Sequence, residues 1–164
     1  MRDAEAVTFA GATLDRSAAL RDDAAAQAAM LADPEARCLA VWRGKPLLDL
    51  AAAPALAWLP LDSPVFEGSA TTVFLGREGR APRFTRDVAD WQDAPTAEAR
   101  PFLDDASEAH PALPDRFGFG DLRAVMGSLG PGDAGNAAAA KGILGWHATH
   151  GFCATCGAAS LPDQ

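Results

Sequence analysis

Thr71-Thr72-Val73-Phe74-Leu75-Gly76, then Arg77-Glu78-Gly79-Arg80, then Ala81-Pro82-Arg83-Phe84-Thr85 is the stretch whose reading decides the fold. Two runs rich in β-branched and aromatic residues, parted by a short polar loop with a glycine, spell a β-hairpin. Pro82 has no N–H to give to a ladder, which predicts that the returning strand lies at a sheet edge. An earlier block repeats the pattern. Cys38-Leu39-Ala40-Val41-Trp42, the turn Arg43-Gly44-Lys45 and Pro46-Leu47-Leu48-Asp49-Leu50 read as a second hairpin, and Leu56 to Leu59 as a further strand.

Helical signals lie on either side of these strands. Asp15 to Ala32 is alanine-rich, has Asp22 or Asp23 as a cap, and is stopped by Asp33-Pro34. From Asp90 to Asp115 the chain is rich in Pro, Asp and Ala, which predicts a surface segment. Helix is expected again around Phe119 to Leu129 and, after Gly130-Pro131-Gly132, from Asp133 to about His150. In the last of these Ala140, Ile143, Leu144 and His147 share one face, which should dock on the sheet. Strands first and helices last imply an α+β domain with a mostly antiparallel sheet packed with helices.

At 164 residues, with 49% hydrophobic and 22% charged residues, the chain can bury a core of its own. Fourteen basic against 22 acidic side chains give a net charge of −8. No basic stripe is present, so no nucleic-acid footprint is expected in this part. No apolar run approaches the roughly 20 residues that span a bilayer, and Met1-Arg2-Asp3-Ala4-Glu5 does not open like a signal peptide. The three cysteines, Cys38, Cys153 and Cys156, are not a secreted disulfide framework. A cytoplasmic protein with no membrane contact is the expectation.

The most specific local signal is Phe152-Cys153-Ala154-Thr155-Cys156-Gly157. Two thiolates at this spacing grip one tetrahedral zinc, and the glycine lets the chain turn around the sulfurs. Zinc takes four ligands, and eight residues follow Cys156, so the expectation is half of a zinc-ribbon site. An alternative closes the site within the chain through His147 and His150, in the array His-x-x-His-x-x-Cys-x-x-Cys, provided that the backbone unwinds near Gly151. Against it, His147 would pack in the helix face and His150 would cap the helix end. A redox role for Cys153 and Cys156 is disfavoured because the motif follows a helix instead of starting one. Cys38, in an apolar strand, reads as a small core hydrophobe. His110, among Glu108, Pro111 and Pro114, reads as solvated, and Asp104-Asp105 as solvated acids of a Pro-rich loop. No Gly-x-Ser-x-Gly elbow and no phosphate loop ending in Gly-Lys-Ser/Thr occurs.

Several blocks together resemble the NADH pyrophosphatase branch of the Nudix hydrolases. They are Phe9-Ala10-Gly11-Ala12-Thr13-Leu14-Asp15-Arg16 with Arg21; Val73-Phe74-Leu75-Gly76 with Pro82-Arg83-Phe84; Phe119 with Asp121-Leu122-Arg123; and Ala138 to Ala140 followed by Gly145 to Gly157. The resemblance implies a NUDIX-like amino-terminal domain, here 1–149, followed by a truncated zinc-ribbon knuckle, 150–164. For the parent enzyme it implies hydrolysis of the pyrophosphate of NADH or NAD to nicotinamide mononucleotide and AMP. It also implies magnesium or manganese in a catalytic Nudix domain, a four-cysteine zinc whose first two ligands are Cys153 and Cys156, and a homodimer. Trp146 and His147 are then packing residues at the junction. The Nudix box itself is missing. It needs clustered carboxylates to hold divalent ions, whereas Glu5, Glu35, Glu67, Glu78, Glu98 and Glu108 lie at least ten residues apart. No catalytic or cofactor-binding residue is therefore assigned, and this part is expected to be inactive. The alternative is a standalone module that binds a nucleotide or a protein without hydrolysing it.

Overall fold

The computed structural model describes Phe9 and residues 11–69, 71–89 and 109–160. Within them the chain is α+β, a mixed sheet of seven strands with three helices. The strands are β1 (Arg37–Trp42), β2 (Lys45–Asp49), β3 (Ala55–Leu56), β4 (Trp58–Leu59), β5 (Thr72–Glu78), β6 (Ala81–Asp87) and β7 (Phe117–Phe119). The helices are α1 (Ala24–Leu31), α2 (Leu122–Val125) and α3 (Pro131–Thr149).

Both expected hairpins form. β1 turns into β2 through Arg43 and Gly44, whose φ values of 48° and 76° meet the demand of a two-residue type I′ turn for positive φ at both central positions. β5 and β6 pair antiparallel from Thr72↔Arg86 to Glu78↔Ala81, with an irregularity between Phe74 and Gly76. The sheet runs β3-β2-β1-β6-β5, with β4 on β1 and β7 on β2. All pairings are antiparallel except β1 with β6, which run parallel from Arg37↔Arg83 to Val41↔Asp87.

That parallel pair corrects the reading of Pro82. β6 is an interior strand, held between β1 and β5. Proline is tolerated because the parallel ladder begins one residue later, at Arg83, so Pro82 faces no β1 acceptor. The outer edge of β5 is closed by the chain before α1. Asp15 N–H donates to the Arg77 carbonyl (2.9 Å), Arg77 N–H donates to the Asp15 carbonyl (2.7 Å), and an Arg16 guanidinium nitrogen donates to the Leu75 carbonyl (3.0 Å).

This attachment breaks the helix expected over Asp15 to Ala32. Asp15 is held in a β-bridge and Ser17 takes a left-handed φ of 42°; only a 3-10 turn at Ala18–Leu20 and then α1 follow. Asp23 caps α1, its carboxylate accepting from Ala26 N–H at 2.9 Å. Phe119 is not helical either. Phe117–Phe119 is a buried strand against β2, and helix starts only at Leu122.

The core includes Leu39, Val41, Leu47, Leu48, Leu75, Phe84, Phe119 and Val125, all under 2% exposed. Thr85 is fully buried among them, its hydroxyl donating to the Leu39 carbonyl at 2.9 Å. Helix α3 packs across the sheet and is tied to β3 by Asp133, whose carboxylate accepts from Leu56 N–H at 2.9 Å. At Gly135 the helix lies directly on residues 11–12. A Cβ there would fall 2.9 Å from the Ala12 Cα and 3.0 Å from the Gly11 carbonyl carbon. The expected docking face is present: Ala140 and Leu144 are buried, Ile143 packs against the core, and His147 is half-buried. Of the expected surface segment 90–115, residues 90–108, with Asp104 and Asp105, lie outside the described residues.

Candidate functional site

The site is built where α3 stops. In the last turn the Thr149 hydroxyl donates back to the Gly145 carbonyl at 2.8 Å, and His150 N–H closes the helix on the Trp146 carbonyl at 2.9 Å. His150 Nδ1 lies 2.9 Å from that same carbonyl, and its ring stacks on the Trp146 indole at 4.9 Å and 14°. His150 thus caps the helix end, as the sequence suggests. The His147 ring meets the same indole edge-on at 5.2 Å and 78°.

Beyond Gly151 the chain doubles back on itself. Phe152 and Ala159 form a β-bridge, Cys153 N–H donates to the Ala158 carbonyl (2.8 Å), and Ser160 N–H donates to the Gly151 carbonyl (2.9 Å). The turn is closed by Gly157 N–H donating to the Cys153 carbonyl at 2.9 Å. Gly157 has φ 70°, where a side chain would be strained, so the glycine after the second cysteine has a conformational reason.

Cys153 is half-exposed and Cys156 exposed. The Cys153 thiol is held below its ordinary range first by the backbone N–H of Cys156, then by that of Thr155 and by the Cys156 side chain, all directed at its sulfur. N–H groups aimed at a sulfur favour the thiolate, and the thiolate is the form that binds a soft divalent metal. Two thiols are the ligand type that zinc takes, and two make half of a tetrahedral set.

Among the described residues no cluster of three or more His, Cys, Asp or Glu side chains is gathered. His147 and His150 are engaged around Trp146 and do not complete a four-ligand site with the two cysteines. α3 ends at Thr149 and the backbone has left the helix by Gly151, yet the two histidines and two cysteines are not gathered into one cluster.

Elsewhere the reactive side chains have structural work. Cys38 is fully buried, and burial pushes its thiol up to about 12 against the opposing pull of Arg86. His110 is half-buried. Burial lowers its pKa, and its Nδ1 accepts from Ala112 N–H at 3.2 Å in a turn. Glu78 is spent on an ion pair with Arg83 at 2.6 Å.

Trp146, which the resemblance places at a junction, is 55% exposed in this chain and packs on the His147 and His150 rings. It stands two residues after buried Leu144 and so points away from the face that docks on the sheet.

A profile of the NADH pyrophosphatase-like rudimentary NUDIX domain matches residues 35–146, more than half of the chain. The chain belongs to this NUDIX-like family. The matched span takes in all seven strands and most of α3, and it stops at Trp146, before the cysteine knuckle. No curated protein matches the sequence significantly. The NUDIX-like domain is thus tied to the hydrolases of NADH pyrophosphatase type, and its glutamates are dispersed. No described helix is long and apolar enough to cross a membrane.

Proposed function

We propose that this chain is the non-catalytic, amino-terminal part of a cytoplasmic enzyme that hydrolyses the pyrophosphate of NADH or NAD to nicotinamide mononucleotide and AMP. Its own role is to support a zinc ribbon and to contribute to a homodimer surface. The observation that carries the reading is the family match over residues 35–146, which leads within a few residues into a folded Cys-x-x-Cys knuckle. Cys153 and Cys156 are the first two ligands of a structural zinc, and the other two come from outside the described residues.

The dispersed glutamates support the non-catalytic assignment. Holding the magnesium or manganese that neutralises a pyrophosphate takes carboxylates packed on one element, and each described glutamate, Glu35, Glu67 and Glu78, stands apart in sequence from any other. That chemistry then belongs to a catalytic Nudix domain elsewhere in the parent enzyme.

The test is a paired assay with magnesium, reading AMP release from NADH by chromatography. The full gene product should hydrolyse NADH, and residues 1–164 alone should not. Turnover by the isolated chain, purified free of contaminating enzyme, would refute the non-catalytic assignment. A full gene product inert toward NADH and NAD would refute the hydrolase reading.

A further inference from the structure

Among the described residues two buried side-chain nitrogens have no acceptor, Arg77 Nε and Arg83 Nε. The rest of the Arg83 guanidinium is engaged, with Nη2 on Glu78 at 2.6 Å and Nη1 donating to the Glu35 and Pro82 carbonyls. Arg77 has no such partners. Its N–H and carbonyl are both bonded to Asp15, so its backbone is fixed, but its side chain has neither an ion pair nor a hydrogen bond among the described residues. A charged donor withdrawn from water without an acceptor is costly, and a bound ion is one of the few things that accounts for it.

The register of the second hairpin says what stands beside Arg77. Phe74 faces Phe84 and Arg77 faces Pro82, with Leu75 as the extra residue of the irregularity, so Phe74 and Arg77 are two rungs apart on one side of β5. Glu78, the acid next to Arg77 in sequence, is on the other side with Arg83. Over the Phe74 ring, 5.7 Å from its centroid, lies the guanidinium of Arg21. The Arg21 side chain also has no ion pair or hydrogen bond among the described residues. Two arginines thus converge on one aromatic residue with no acid to match either, an arrangement that an anion between them stabilises.

We propose that Arg21 and Arg77 form a binding site for the phosphate group of a small ligand. Two guanidinium forks match the charge and the oxygen geometry of a phosphate dianion, where a carboxylate would neutralise only one of them. Arg77 offers Nε–H and an Nη–H side by side, and Arg21, held by the ring face alone, is free to swing onto the remaining oxygens. Phe74 is 6% exposed and offers no face for a base to stack on, so the ligand is recognised by its phosphate. A long polyanion is disfavoured by the net charge of −8. The site depends on neither the zinc nor the hydrolase reading.

The experiment follows the arginine side-chain N–H signals of the 164-residue chain by nuclear magnetic resonance, titrated at constant ionic strength with inorganic phosphate and, separately, with glycerol phosphate. The Arg77 Nε–H signal, assigned from the Arg77→Lys variant, should shift to saturation. Arg21→Gln should weaken binding about tenfold, the scale of one charge-assisted hydrogen bond, with an unchanged thermal melt. Arg77→Lys keeps the charge but loses the fork, and should weaken it about as much when binding is read by calorimetry. Tighter binding of glycerol phosphate would assign the site to an organic phosphate, and equal binding to the free ion; either supports the site. An Arg77 signal that never saturates would overturn the proposal. So would saturable binding that folded Arg21→Gln and Arg77→Lys both leave unchanged, because the phosphate would then sit elsewhere.

Discussion

One substitution, made twice in the same helix, should act with opposite signs. Gly145→Ala adds a methyl group where a Cβ meets no atom within 4 Å, so only helix propensity changes, a gain of about 0.5–1 kcal/mol. Gly135→Ala earns the same propensity term but drives its Cβ into the backbone at Ala12, 2.9 Å from the Cα and closer still to the amide nitrogen. Backbone cannot rotate away as the tip of a side chain can, so α3 or residues 11–13 must shift. Overpacking of this kind costs about 1–3 kcal/mol. Setting it against the propensity gain leaves a net loss of up to about 2.5 kcal/mol for Gly135→Ala.

Urea unfolding of residues 1–164, followed by tryptophan emission and far-ultraviolet dichroism, would resolve the pair. For a domain of this size about 1 kcal/mol moves the melting temperature by roughly 2–4 °C, so thermal melts should separate the variants in opposite directions from the parent. Stabilisation by Gly135→Ala would mean that the contact between α3 and residues 11–13 is not as tight as described. Destabilisation by Gly145→Ala in the isolated domain would mean that this stretch of α3 is not as open as described.

Thr85→Val keeps the shape but deletes the hydroxyl that donates to the Leu39 carbonyl in full burial, and should cost about 1 kcal/mol in urea unfolding; an unchanged midpoint would show that the bond contributes nothing. Asp133→Ala removes the acceptor for Leu56 N–H and an acidic group from the first turn of α3, for an expected loss of about 1–2 kcal/mol, with Asp133→Asn recovering part of it. Cys38 makes stability depend on alkaline pH. Its folded pKa is raised from the ordinary 9.0 to about 12, so the unfolded chain gives up this proton first, and stability is complete below pH 9.0 and falls as pH rises toward 12. The Cys38→Ala variant should lose less per pH unit over that window, and parallel pH profiles for the two proteins would refute the linkage.

The parts of the fold that were legible in the sequence are those set by neighbours along the chain. The turn at Arg43-Gly44 carries its own φ demand, and the runs on either side are apolar enough to be strands whatever they pair with. Asp23 caps α1 and His150 ends α3 for equally local reasons. In the candidate site the spacing of Cys153, Cys156 and Gly157 announces a knuckle, because the turn that aims backbone N–H groups at a sulfur is made within five residues. Where the reading failed, a distant segment decided the outcome. The run after Asp15 has helical composition, but two backbone hydrogen bonds to Arg77 hold its start in a bridge. Phe117-Gly118-Phe119 is too short to show a period, and β2 makes it a strand.

Pro82 shows the same division most sharply. That proline removes one donor is certain from the residue itself; whether the donor is missed depends on where a neighbouring strand begins. Here the neighbour is β1, more than forty residues earlier in the chain, and its pairing with β6 opens at Arg37↔Arg83. Had β1 begun a residue or two earlier, Pro82 would face an acceptor with no N–H to offer it, and β6 could take an interior place only with a bulge. Pro82 therefore sets the end of the parallel ladder and not the edge of the sheet. The pairing that it permits joins β6 of one hairpin to β1 of the other, which makes one sheet of them for α3 to cross on its way to Cys153.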